Sequence, residues 1–262
     1  MKIIIIFLFL VMLILPPSGI GEEAKREVTI TILYDNYKFL PDTKSDWGFS
    51  CFIESKEKTV LFDTGTYGEI LMHNVKHLDI DLRKVDLIVL SHIHRDHIGG
   101  LMTVLDTNNA VKVYYPHSFP QDFNQEVSLK GADPVAVNEP VQICENMYLT
   151  GEIPGPVNEQ SLIVNTSKGL VIIAGCSHPG IVKIVKKAKE IWDKKIYLVM
   201  GGFHLGQHSR EQVEKIAESF KILGVEKCGA THCTGDQAIH VFKDIFGENY
   251  IPMGVGKVIS IK

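Results

Sequence analysis

The sequence predicts an α/β domain in which helices cover the outer faces of sheets whose inner faces meet. Three observations predict it. Short β-branched runs alternate with segments of helical spacing from residue 28 onward, and each apolar face so produced must be buried against another layer. The 262 residues, 45% hydrophobic and 22% charged, suit one sizeable domain, since single α/β domains often exceed 200 residues. Histidine- and glycine-rich clusters follow directly on aliphatic runs, as expected of a site assembled from strand ends.

The elements follow in order. Residues 28–34, 49–54 and 59–62 read as consecutive strands, the last running into Asp63-Thr64-Gly65. Residues 67–78 carry apolar side chains at helical spacing. The aliphatic run 85–90 has the pattern of a buried strand, and a helix over 98–105 and a strand over 111–115 follow. The stretch 117–158 reads as a loop that shapes the site. Strands at 161–165 and 170–174, a helix at 180–192, a strand at 196–200 and a helix at 210–223 come next. A strand at 227–230, a helix at 236–246 and short β runs at 250–252 and 257–261 close the chain.

Residues 1–21 form a separate object. A lysine at position 2 precedes an uninterrupted apolar run from Ile3 to Leu15, followed by Pro16-Pro17-Ser18-Gly19-Ile20-Gly21. That run is too short to span a bilayer comfortably, and the small residues suit cleavage after Gly21. The expectation is a cleaved secretory signal and an extracytoplasmic domain over 22–262 with no stable membrane association, an uncleaved anchor being the alternative. A formal charge of −4 argues against a nucleic-acid binder that relies on broad positive potential. Five cysteines without a CxxC pair are not a disulfide framework, and at least one thiol stays free.

The densest chemistry lies in Ser91-His92-Ile93-His94-Arg95-Asp96-His97-Ile98-Gly99-Gly100. If the chain stays extended through His94, His92 and His94 project to one side and can grip one ion together. Asp96 and His97 follow as the chain turns into a helix, where the carboxylate could help start the helix or hold a second ion. Three later clusters repeat one grammar, an aliphatic run, then Gly or Thr, then His: Gly175-Cys176-Ser177-His178, Gly201-Gly202-Phe203-His204 and Thr231-His232-Cys233-Thr234. Their glycines permit close backbone approach. His178 and His232 are candidate ligands that complete the first cluster. His204 reads as a ligand, a substrate contact or an acid. Cys176 is a thiolate ligand or a small buried residue. Asp63 either orients an imidazole or caps a turn.

These motifs resemble those of the metallo-β-lactamase superfamily, whose HxHxDH signature matches residues 92–97, with Asp63 at its early aspartate. The dihydropteroate-synthase-like branch is the nearer likeness. It carries Leu-Phe-Asp-Thr-Gly, the doubled glycine, Gly-Cys-Ser-His, Gly-Gly-Phe-His-Leu and His-Cys-Thr-Gly in this order, over nearly the whole chain after the signal. The resemblance implies a four-layer αββα sandwich with one or two divalent ions at the edge of its sheets. Zinc is expected first, with manganese, iron or magnesium as alternatives. The ligand set would be His92, His94, Asp96, His97, Cys176, His178 and His232, with Asp96 and His204 catalytic. One departure stands out: the position of the bridging aspartate of such hydrolases falls on Cys176.

The resemblance also implies a small-molecule substrate. The leading expectation is hydrolysis of an ester, lactone or phosphoester. One alternative is a transferase of the branch's archaeal type, joining a dihydropterin methyl diphosphate to a ribofuranosylaminobenzene phosphate. Another is a secreted metal-binding protein without turnover. A cytoplasmic pterin pathway fits poorly with an export signal, which favours the hydrolase. The sequence leaves the oligomeric state open.

Overall fold

The computed structural model describes residues 27–262; the expected signal segment lies outside the described residues. In chain order the elements are β1 Val28–Tyr34, β2 Ser50–Ser55, β3 Thr59–Phe62, α1 Gly68–His77, β4 Leu87–Val89, α2 Arg95–Ile98, α3 Leu101–Thr107, β5 Lys112–Pro116, α4 Gln121–Leu129 and β6 Asp133–Val137. The second half holds β7 Val141–Cys144, β8 Met147–Leu149, β9 Leu162–Thr166, β10 Gly169–Ala174, α5 Ile181–Ile191, β11 Ile196–Gly202, α6 Arg210–Ile222, β12 Val225–Thr231, α7 Asp236–Phe246 and β13 Val258–Ile261.

One sheet runs β13-β1-β2-β3-β4-β5-β6 and the other β12-β11-β10-β9-β8-β7. Period-two alternation decides which core each side chain joins. In β10, Val171 and Ile173 meet Ile30, Phe62 and Val89 of the first sheet between the layers. Leu170, Ile172 and Ala174 point the other way, onto Ile184, Val185 and Phe220 of the helices. Leu71, Val104 and Phe123 cover the outer face of the first sheet in the same way. The result is helix, sheet, sheet, helix.

Strands β3, β4, β5 and β6 pair in parallel, as do β10, β11 and β12. Their carboxyl ends therefore lie at one edge of each sheet, where open α/β sheets place ligands. Two expectations are corrected. Residues 117–158 are not one loop, because α4, β6, β7 and β8 lie within them. Strands β6 and β7 are short and carry partly exposed side chains, so they give little apolar signal, and β8 has only three residues. Residues 250–252 form no strand; Tyr250 makes only an isolated bridge to Cys228, following a tight turn at Gly247–Asn249.

Candidate metal centre

After β4 the backbone is extended at His94 (φ −64°, ψ 142°) and then coils into α2. His92 and His94 stay neighbours, with ring centroids 4.8 Å apart. Asp63, at the end of β3 and wholly buried, organises this segment. Its Oδ1 accepts the Ser91 backbone N–H at 2.7 Å, and its Oδ2 accepts the Ser91 hydroxyl at 2.7 Å. The same oxygen lies 2.7 Å from His97 Nδ1. Ser91 Oγ also lies 2.9 Å from His92 Nδ1. A hydroxyl has one proton and the carboxylate takes it, so His92 Nδ1–H must donate to Ser91. That tautomer leaves the lone pair of His92 on Nε2.

A second buried carboxylate holds the opposing segment. Glu159 Oε1 accepts the backbone N–H groups of Gly175, Cys176 and Ser177 at 3.1, 2.9 and 2.9 Å, and Oε2 accepts that of His178 at 2.9 Å. The turn beyond β10 is thereby tied to the segment of Glu159, which Gln160 fixes to the end of β4 by donating its backbone N–H to the Ser91 carbonyl and its side-chain amide to the Leu90 carbonyl, each at 2.9 Å. Its close approach depends on Gly175, where a Cβ would lie 2.1 Å from Ser91 Oγ. Four non-glycine residues near the site, Asp63, Ser177, His204 and His232, occupy the left-handed region with φ of 54°, 64°, 54° and 51°. Such conformations persist only where surrounding contacts over-determine them, and they gather at functional sites.

The histidines and their neighbours form two adjacent donor groups. His92, His94 and His178 make the first and Asp96, His97, Cys176 and His232 the second, the donor atoms within each group lying within 4.8 Å of one another. In the second, Asp96 Oδ2 lies 3.4 Å from His97 Nε2 and 3.3 Å from His232 Nε2. Cys176 Sγ lies 3.1 Å from His97 Nε2 and 3.4 Å from His232 Nε2. Asn36 Oδ1 accepts from His232 Nδ1 at 2.8 Å and directs its Nε2 inward. The rings of His92 and His97 join the groups, with centroids 4.2 Å apart. Asp96 does not cap α2, whose first turn has no side-chain cap; its carboxylate belongs to the second group.

Both groups fit divalent ions. His92 Nε2 and His178 Nε2 are buried polar atoms without a hydrogen-bond partner, an arrangement that costs free energy unless something accepts their lone pairs. Burial, followed by its histidine neighbours, pushes His92 well below the usual imidazole range and brings His178 down to about 4. Burial also lowers His94. These rings are held neutral, the form that ligates. In the second group, burial alone would lower His97, but Asp63 and Asp96 outweigh it and raise the ring to about 10. Burial opposes ionisation of Asp96, yet hydrogen bonds with His232 and His97 hold it well below the carboxylate range. Burial pushes Cys176 well above the usual thiol range and Glu159 up to about 7.

His204 is exposed at the mouth, its ring centroid 4.4 Å from that of His178. A hydrogen bond with Cys233 raises its imidazole. Trp47, 56% exposed, lies over the other side with its ring 5.0 Å from His232. All seven expected ligands and His204 are thus brought to one place. Sequence reasoning missed Glu159, Asn36, Trp47 and Cys233. Asn36 lies in the Asp35-Asn36 pair that follows β1, as Asp63 follows β3, and that strand-then-polar pattern could have found it. Glu159, in a polar turn between Asn158 and Gln160, carries no such signal. All five cysteines are free.

A family model described as the metallo-beta-lactamase superfamily matches residues 48–183. The chain is 32% identical to 7,8-dihydropterin-6-methyl-4-(beta-D-ribofuranosyl)-aminobenzene-5'-phosphate synthase of Methanocaldococcus jannaschii, over 82% of this chain and 90% of that one. It is 29% identical to an uncharacterized protein of the same organism, over 88% of this chain and 100% of that one. Among solved structures, a metal-dependent hydrolase of the beta-lactamase superfamily superimposes with a TM-score of 0.76 at 31% identity, covering 88% of this chain and 98% of that one. The metallo-beta-lactamase fold protein YhfI from Bacillus subtilis shares the fold, with a TM-score of 0.66 at 14% identity over 89% of this chain and 99% of that one.

Proposed function

The chain belongs to the metallo-beta-lactamase superfamily, and from that premise we propose that it is a metal-dependent hydrolase of a small ester, lactone or phosphoester. The observation that carries the reading is the pair of buried, partnerless nitrogens His92 Nε2 and His178 Nε2, grouped with His94 beside a second group containing a carboxylate and a thiol. His92, His94 and His178 would hold one divalent ion, and Asp96, His97, Cys176 and His232 the other. Bound ions supply Lewis acidity toward a carbonyl or phosphoryl oxygen and acidify water, with zinc the first ion to try.

The residues of the chain supply the rest. Asp63 sets the tautomers of His92 and His97, and Glu159 sets the position of His178 and Cys176. Asp96, with its side chain 17% exposed, can accept a hydrogen bond from an attacking water. His204 stands at the mouth with its imidazole raised, so it can carry a proton at Nε2 or Nδ1 to a departing oxygen. A transferase is the second reading. It is favoured by the similarity to the named synthase and by Trp47, which offers an exposed flat face beside His232 for a ring-bearing substrate.

The test is to load the purified protein with zinc and assay lactones, phosphodiesters and the pair of a dihydropterin methyl diphosphate with a ribofuranosylaminobenzene phosphate. Ester or lactone hydrolysis abolished by a chelator is the expected result. Coupling of the pair without hydrolysis would replace the first reading by the second. A metal-loaded protein that turns over none of them contradicts both.

A further inference from the structure

Cys233 takes no part in the two groups above, yet it lies in a third with Cys176, a member of the second group, and His204, which stands beside the first. The donor atoms of Cys176, His204 and Cys233 fall within 4.8 Å of one another. Both thiols are buried, Cys176 at 3% and Cys233 at 7% exposure, while His204 is exposed. Close packing creates the arrangement: a Cβ at Gly202 would lie 2.7 Å from Cys233 Sγ and 3.1 Å from His232 Cδ2. A groove of about 310 Å³, lined by Trp47, His204, Gly206, Gln207, His208 and Cys233, opens onto it from solvent.

We propose that Cys176, His204 and Cys233 form a third ion position, thiolate-rich and selective for a soft ion such as zinc, cadmium or cuprous copper. Two thiolates and one imidazole with an open fourth place form a ligand set that zinc accepts, and soft sulfur donors favour thiophilic ions over magnesium or manganese. Two thiolates neutralise a divalent ion locally, which lessens repulsion from the neighbouring groups. Binding releases one proton from each thiol that is protonated beforehand, and neither sulfur changes its oxidation state. Cys176 is the only donor shared with the second group, so its sulfur would bridge. None of His92, His94, His178, Asp96, His97 or His232 belongs to this position, and its existence does not depend on which reaction the protein performs.

The test titrates the metal-free, full-length protein with cadmium alone. It reads bound cadmium per chain and the ultraviolet thiolate-to-cadmium absorption. Cys233→Ser is expected to bind one ion fewer than the unaltered protein and to lose roughly half or more of that absorption. His204→Asn, chosen because asparagine tolerates the left-handed backbone at this position, removes a direct donor and is expected to weaken the same ion by at least the roughly tenfold that loss of an outer partner costs and leave the others unmoved. Circular dichroism checks that both variants fold; if Cys233→Ser does not fold, His204→Asn decides alone. Variants that match the unaltered protein in stoichiometry, absorption and affinity overturn the third position and leave the first two groups untouched. Loss of all cadmium from a folded Cys233→Ser also overturns it, because no separate position would then exist. An unaltered protein that binds no cadmium overturns this position and the metal-dependent reading together.

Discussion

The two donor groups that grow from the end of β4 differ in how they are held ready. The first, His92, His94 and His178, is all imidazole, and burial with mutual repulsion keeps its rings neutral before any ion arrives. The second is a network of opposite charges in which Asp63 and Asp96 hold a proton on His97. An ion entering the first group meets free lone pairs, whereas an ion entering the second must displace a proton. Two positions of sequence separate these behaviours: His92 and His94 lie on extended backbone, and Asp96 and His97 lie on the first turn of α2.

The largest expected effect removes the feature both groups share. Glu159→Ala would leave three buried backbone N–H groups and the half-buried one of His178 without their acceptor, at a cost of about 3 kcal/mol. Urea unfolding should register that loss, and ion affinity should fall at both groups. Normal stability in this variant would show that the turn from Gly175 to His178 holds itself.

Asp63→Asn should separate the groups. Its loss of charge leaves His97 without its partner, so affinity at the second group should drop by roughly 10-fold to 100-fold, with a smaller change at the first, measured by competition with a chromogenic chelator. Equal losses at both groups would erase the distinction. Asn36→Ala removes the acceptor for His232 Nδ1 and should weaken only the second group, by about tenfold.

The same distinction is read in the pH dependence. Because His97 is raised from 6.5 to about 10 in the folded chain, its contribution to the stability of the metal-free protein is fully present below 6.5 and is lost as pH rises through 10. His178, lowered from 6.5 to about 4, has the opposite sign, and stability falls as pH drops through that interval. Thermal melting of the metal-free protein should therefore show a decline above neutrality that Asp63→Asn lacks. On acidification of the loaded protein, the ion of the second group should leave first. Release of the first-group ion before it would reverse the assignment of the protons.

Much of this was legible in the sequence because strand and ligand coincide. The β-branched run 85–90 followed by alternate histidines states both a buried strand and a paired ligand. Glycines 175 and 202 told of close approach, and the packing against Ser91 and Cys233 gives the reason. What escaped was the support. Glu159 acts through four backbone amides of a distant turn, and backbone amides have no sequence signature. Strands β6 and β7 escaped because their side chains are partly exposed and mixed in polarity, and β8 because its three residues, buried at Met147 and Leu149, are too few to establish a period.

The most direct measurement counts ions. Elemental analysis of the zinc-loaded protein beside a folded His92→Ala, His94→Ala double variant should find one ion fewer per chain in the variant, with the second group still occupied and turnover lost. Unchanged metal content in that variant would contradict the assignment of the first donor group, and with it the metal-dependent reading of the site.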